Sequence, residues 1–286
     1  MKKLKTVFNQ VKSLNGAEAP GMVNLLWQLI CYSPKMPVRL QQQLLLDEAK
    51  AFTLEVDDPH FAKSTLKFNG FTWGKGKRKI LITHGWGSKA ADFAELITAL
   101  KNINDVQVIA FDAPGNGSSE GELSNLLLFA KAATAVIKTF GTPDVLIGHS
   151  LGAMANAIAI KETAIQPALL ISIAPLINLK ENFIASLNAA EVAPGLQDQF
   201  FTDFEALFDM EASDFTLHNL YPAGLVGRHW LAYDPEDKVA PFAFLENFLV
   251  THPEVETKVY QGLGHERIIK DELVISDLVS LIAYFT

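Results

Sequence analysis

The sequence predicts an α/β fold, a mostly parallel sheet covered by helices on both faces and carrying a helical insertion. Three observations predict it. From about Ser64 onward, short apolar or β-branched runs alternate with helix-like segments. Those runs are continuously apolar, as strands buried on both faces are, and parallel strands need helical crossovers between them. One interval, Leu176 to Leu225, breaks the rhythm and offers helix-like pieces alone.

The strand candidates, in order, are Thr65–Trp73, Lys79–Thr83, Val106–Phe111, Val145–Ile147, Ala168–Ile173, Arg228–Ala232 and Glu256–Tyr260. Helical patterns fall at Ala90–Lys101, Leu123–Thr139, Leu151–Thr163, Phe242–Val250 and Glu272–Tyr284. Within the insertion, Lys180–Ala190 and Leu196–Met210 read as helices, and Phe183, Phe200, Phe201, Phe204, Phe208 and Phe215 enrich it in aromatics. Most of these rings are expected to pack the insertion onto the body, and a minority to line a pocket for an apolar ligand. At the N-terminus Leu4, Val7, Phe8, Val11 and Leu14 recur at helical spacing, with lysines opposite. The expected organisation is an N-terminal helical extension over residues 1–63, packed on a domain of residues 64–286 whose helical cap spans about 176–225.

Composition excludes several functions. With 24 basic and 32 acidic side chains the formal charge is -8, which gives no support to nucleic-acid binding. The apolar run Met22 to Cys31 is too short to span a bilayer, and membrane contact is not expected. The first residues carry lysines but lack the continuous apolar core of a secretory signal. A single cysteine, Cys31, permits neither an intramolecular disulfide nor a cysteine metal cage, and the expected location is cytoplasmic. No zinc-protease motif, P-loop or complete dinucleotide fingerprint appears, so no cofactor and no metal is expected.

The chemistry-bearing stretch is "DVLIGHSLGAMANAIAI", Asp144 to Ile160, in which a buried strand turns through Gly-His-Ser-Leu-Gly into an alanine-rich helix. An abrupt strand-to-helix turn brings backbones close together. Gly148 and Gly152 have no Cβ to clash there, and Ser150 is left in a strained conformation that presents its hydroxyl beside the N–H groups of the following helix. Two further stretches accompany it. "LITHGWGSKAADF", Leu81 to Phe93, ends a strand in His84-Gly85-Trp86-Gly87, and "VIAFDAPGNGSSEG", Val108 to Gly121, runs a strand into an Asp-x-Pro-Gly loop.

In these motifs, and in their order, the chain resembles the α/β-hydrolase superfamily from about residue 65 to the C-terminus. The resemblance implies the α/β-hydrolase fold, with Ser150 as the nucleophile of a strand–turn–helix elbow. It also implies an oxyanion hole from the backbone N–H groups of Trp86 and Leu151, and a structural role for Asp112 and Ser118. Partner residues follow the serine in the order acid, then histidine. "GRHWLAYDPEDKVAPF", Gly227 to Phe242, supplies the acid; Asp237 fits the superfamily's Asp-x-Val-x-Pro pattern, with Asp234 and Glu236 as rivals. Ala240 stands before Pro241 where related sequences often carry a bulkier aliphatic residue. "VYQGLGHERIIKDE", Val259 to Glu272, places His265 on a glycine-rich loop after the last strand, which none of His60, His84, His149, His218, His229 or His252 matches.

A serine hydroxyl is a weak nucleophile until a base takes its proton and a carboxylate orients that base. The expected function is therefore a carboxylesterase-like serine hydrolase acting on a small, apolar acyl ester. The same machinery would also serve a thioesterase or amidase, and a non-catalytic binding protein on the same fold is the reading from a different class.

Overall fold

A computed structural model describes residues 2–14 and 21–284 of the chain. The chain opens with helices α1 (Lys2–Leu14), α2 (Met22–Cys31) and α3 (Leu40–Asp47), followed by strands β1 (Lys50–Asp58), β2 (Ser64–Trp73) and β3 (Arg78–Thr83). A 3-10 turn, Ala90–Phe93, leads into α4 (Ala94–Leu100), then β4 (Val106–Phe111), α5 (Leu126–Phe140), β5 (Val145–His149), α6 (Leu151–Thr163) and β6 (Leu169–Ile173). The insertion contributes α7 (Leu179–Ala189), α8 (Pro194–Phe208) and a short α9 (Leu217–Leu220). The chain then completes β7 (Arg228–Tyr233), α10 (Phe242–Thr251), β8 (Glu256–Val259), the one-turn α11 (Gly264–Arg267) and α12 (Glu272–Tyr284).

The described strands form one eight-stranded sheet in the order β1-β2-β4-β3-β5-β6-β7-β8. From β4 to β8 every neighbouring pair is parallel, and β1 and β2 close one edge as an antiparallel hairpin. After β3 the chain crosses to β4 on one side and then returns to β5 on the other. Such a reversal opens a crevice at the strands' C-terminal ends. Thr83 and His149 end the two strands that flank it.

Alternation along the strands splits the core between the two faces. Leu81, Ile109, Phe111 and Leu146 face α5, α6, the N-terminal helices and the insertion. Ile80, Ile82, Val108 and Ile147 face the other way, onto Leu96 and Ile97 of α4 and Val274, Leu278 and Ile282 of α12. Helix α6 is buried along Leu151–Ile160, and its alanines let it lie close to the sheet.

The mostly parallel, doubly covered sheet matches the sequence expectation, and among its described residues the insertion holds no strand of the sheet. The N-terminal extension differs. The sequence reading makes residues 1–63 a helical extension, yet the segment ends in β1, whose Phe52, Leu54 and Val56 alternate with polar residues and pair antiparallel with β2. One-face burial at a sheet edge produces that period-2 signal.

Candidate active site

Ser150 lies at the junction of β5 and α6 with φ 52° and ψ -120°, a left-handed backbone on a non-glycine residue. Strain of this kind persists only where the surroundings hold it. Here the Ser150 N–H donates to Ile173 O (3.1 Å), and its carbonyl accepts from the N–H groups of Ala153 and Leu176, each at 3.1 Å. The flanking glycines allow the approach. A Cβ on Gly148 would lie 2.5 Å from Ala153 Cα, and one on Gly152 would lie 2.3 Å from Thr83 O. Leu151 is the first residue of α6, so its N–H is one of those the helix itself leaves unbonded.

The segment after β3 adjoins this turn: a Cβ on Gly85 would sit 3.0 Å from Ser150 Cβ. His84 fixes the segment's orientation. Its Nε2 accepts from the Ala113 N–H (2.9 Å), so the proton resides on Nδ1, which donates to Gly85 O (2.6 Å). Burial holds this imidazole's pKa below the ordinary histidine value, against the pull of nearby Asp112. With the Gly85 carbonyl held, the planar trans peptide turns the Trp86 N–H away from His84. Asp112 braces the neighbouring loop, accepting from Ala90 N, Ser118 N and Ser118 Oγ at 2.7–2.9 Å.

The acid and the imidazole follow β7 and β8. His265 Nδ1 donates to Asp237 Oδ2 at 2.7 Å, and both side chains are largely buried. Asp237 Oδ1 accepts from Val239 N (2.7 Å) and Ala240 N (3.0 Å). Burial pushes the Asp237 carboxyl up, but the bond from His265 and the two backbone N–H groups outweigh it and hold its pKa below the usual carboxylate value. Asp234 acts on the backbone instead. Its carboxylate accepts from Glu236 N (2.9 Å) and Gly264 N (2.7 Å), tying the acid loop to the histidine turn. Among the described hydrogen bonds none joins Ser150 Oγ to His265.

One cavity of about 850 Å³ is lined by Ser150, Leu151, Trp86 and His265. The structure thus brings four of the five sequence-predicted residues to one cavity, and the fifth, Asp237, lies behind His265.

Two features escaped the sequence reading. His149 Nε2 donates to the backbone carbonyl of His265 (2.9 Å), with the two rings 4.8 Å apart, so the residue before the serine holds the turn that carries the imidazole. Burial pushes the His149 pKa down to about 3, and a charge on His265 would add to that. The cavity is also walled by N-terminal residues, Trp27, Leu29 and Tyr32 among them. Neither contact has a local signature; only the histidine within the elbow hinted at the first.

Among the described residues, no three or more His, Cys, Asp or Glu side chains gather as a metal site, and no helix is long and apolar enough to cross a membrane.

A family model described as the alpha/beta hydrolase family matches residues 80–269. The chain belongs to that family. Its similarity to a monoglyceride lipase of Rattus norvegicus is 32% identity over 112 residues, 36% of this chain and 37% of that one. The chain therefore aligns with little more than a third of that curated relative's length. Among solved structures, an esterase of Pyrococcus furiosus superposes with a TM-score of 0.61 at 18% identity, covering 90% of this chain and 96% of its own. The mouse alpha/beta hydrolase domain-containing protein 10 does so at 0.59 and 17%, covering 82% and 98%. At such identities the two structures speak for the fold of this chain alone.

Proposed function

We propose that this protein hydrolyses an apolar acyl ester through an acyl-enzyme on Ser150. The observation that carries the reading is the strained, glycine-flanked Ser150 in one cavity with a His265 imidazole whose Nδ1 is bonded to Asp237 at 2.7 Å. Because Nδ1 donates to the carboxylate, Nε2 is the nitrogen left to take the serine proton.

In this reading Ser150 Oγ attacks the acyl carbonyl carbon as its proton passes to His265 Nε2. Asp237 stabilises the resulting imidazolium, and the N–H groups of Trp86 and Leu151 receive the oxyanion. The carbonyl reforms as the alkoxide leaves with the proton from His265. Water, deprotonated by the same imidazole, then releases the acid and restores Ser150. Similarity to a monoglyceride lipase over part of the chain supports an ester rather than an amide as the bond attacked. The buried, unpaired thiol of Cys31 is compatible with a reducing, cytoplasmic setting.

The test is kinetic, with p-nitrophenyl esters and a monoacylglycerol as substrates. Ser150→Ala and His265→Ala each lower kcat by about a thousandfold or more, and the double variant loses little beyond either, because the residues act as a unit. Near-additive losses, or residual activity close to wild type, overturn the assignment.

A further inference from the structure

The family match begins at residue 80, yet part of the cavity wall comes from residues before it. Leu29, Tyr32 and Met36 line the cavity opposite residues of the insertion, Phe183 and Phe208 among them. Trp27 joins the two walls. Its ring centroid lies 4.7 Å from that of Phe200 and 5.9 Å from those of Phe204 and Phe208, and its Nε1–H donates to Asp203 at 2.5 Å.

The N-terminal segment is bonded to the body as well. Ser124 N donates to Cys31 O (2.8 Å), Tyr32 forms an antiparallel bridge with Leu123, and the buried Ser33 Oγ donates to Asn116 Oδ1 (2.6 Å). These bonds reach the same 112–124 loop that Asp112 ties to the oxyanion segment. The wall is thus continuous with the catalytic framework.

The cavity lining sorts by chemistry. Gln42, Lys89 and Asp92 form one bonded group, with Gln42 Nε2 donating to Asp92 Oδ1 at 2.8 Å and Lys89 Nζ 3.2 Å from that oxygen. Lys89 and Asp92 of that group lie in the segment that follows Trp86 in the chain. Between α2 and the insertion the lining is chiefly aromatic and aliphatic, with Asn182 and Ser186 of α7 as its polar members, and Trp27 already spends its indole N–H on Asp203. A polar ligand group placed against those rings would lose its hydration and recover few hydrogen bonds. About 850 Å³ also exceeds what an acetyl group could fill.

We propose that the segment Trp27–Met36 and the facing cap helices form the subsite for the alkyl tail of a fatty-acyl ester, so that residues outside the family core set acyl-chain preference. This rests on the ester-hydrolase reading. The experiment compares p-nitrophenyl acetate, octanoate and dodecanoate with wild type, Leu29→Trp and Leu29→Ala, beside thermal shifts produced by free dodecanoate. In wild type kcat/KM rises from acetate to octanoate, by up to about fourfold for each methylene that becomes buried. Leu29→Trp fills the subsite, lowers the octanoate-to-acetate ratio at least tenfold and abolishes the Tm rise with dodecanoate. Leu29→Ala moves the optimum toward the longer ester, which keeps the test decisive if the bulky variant does not fold.

Chain-length ratios unaltered in folded variants that still react with a fluorophosphonate overturn the subsite and leave the hydrolase reading standing. No hydrolysis of any ester by wild type overturns that reading instead. The dodecanoate shift and its loss in Leu29→Trp then decide the subsite alone, and absence of any shift in wild type counts against it.

Discussion

Replacing His149 tests the coupling between the Ser150 turn and the His265 turn, and its magnitude follows from the geometry. The wild-type imidazole donates Nε2–H to His265 O and is held neutral, its pKa pushed down by burial from 6.5 to about 3. Between those values the unfolded chain binds a proton that the folded chain refuses. Stability is therefore full above pH 6.5 and is lost as pH falls toward 3. Linkage over the interval from pH 7 to pH 5 gives about 2 kcal/mol lost through this one group. His149→Gln keeps an N–H donor for the His265 carbonyl but does not titrate. Urea unfolding of this variant should lose about 2 kcal/mol less than wild type between those two pH values. His149→Leu removes the donor and leaves a half-buried carbonyl unbonded, costing about 1–3 kcal/mol at pH 7. Its kcat should fall tenfold or more as the imidazole loses its placement, while His149→Gln retains most of the activity. If the glutamine variant's stability runs parallel to wild type from pH 7 to pH 5, the neutral, buried assignment of His149 is wrong. If the leucine variant keeps full kcat, the bond to the His265 carbonyl does not position the base.

Further outcomes are expected. Asp237→Asn should lower kcat on the order of a thousandfold or more, because the carboxylate no longer supports the imidazolium; Asp234→Asn should chiefly lower stability, since its carboxylate bonds to backbone N–H groups, and steady-state kinetics beside urea curves separate the two. Gly152→Ala should destabilise by about 1–3 kcal/mol, because a Cβ there would meet Thr83 O at 2.3 Å and His84 O at 2.5 Å; calorimetry should register a Tm drop of about 2–4 °C per kcal/mol. Burial pushes the Cys31 thiol well above its usual pKa, so iodoacetamide at pH 8 should modify it only after unfolding, as read by intact mass.

The parts of the molecule that are legible in the sequence are those encoded over short distances. Strand, turn and helix around Ser150 lie within one run of 16 neighbours, Val145–Ile160, and the glycines on either side of Ser150 mark the close approach seen at Thr83 and Ala153. His265 and Asp237 are legible because each follows a strand and sits in a pattern that the superfamily resemblance interprets. The strand at Lys50–Asp58 is also present as a period-2 alternation, but beside a helical N-terminus that short signal reads as part of the extension. The cavity wall has no such mark. Trp27 meets Asp203 across 176 positions, and His149 meets the His265 carbonyl across 116. Contacts of that range depend on how the cap and the N-terminal helices dock, which periodicity within either segment does not specify.

Intact and peptide mass spectrometry after brief exposure to a fluorophosphonate reads out the proposed nucleophile Ser150 itself. One adduct per chain is expected on Ser150, absent in Ser150→Ala and much slower to form in His265→Ala. A folded wild-type protein that takes no adduct, or takes it on another residue at the same rate in all three proteins, rules out Ser150 as the nucleophile.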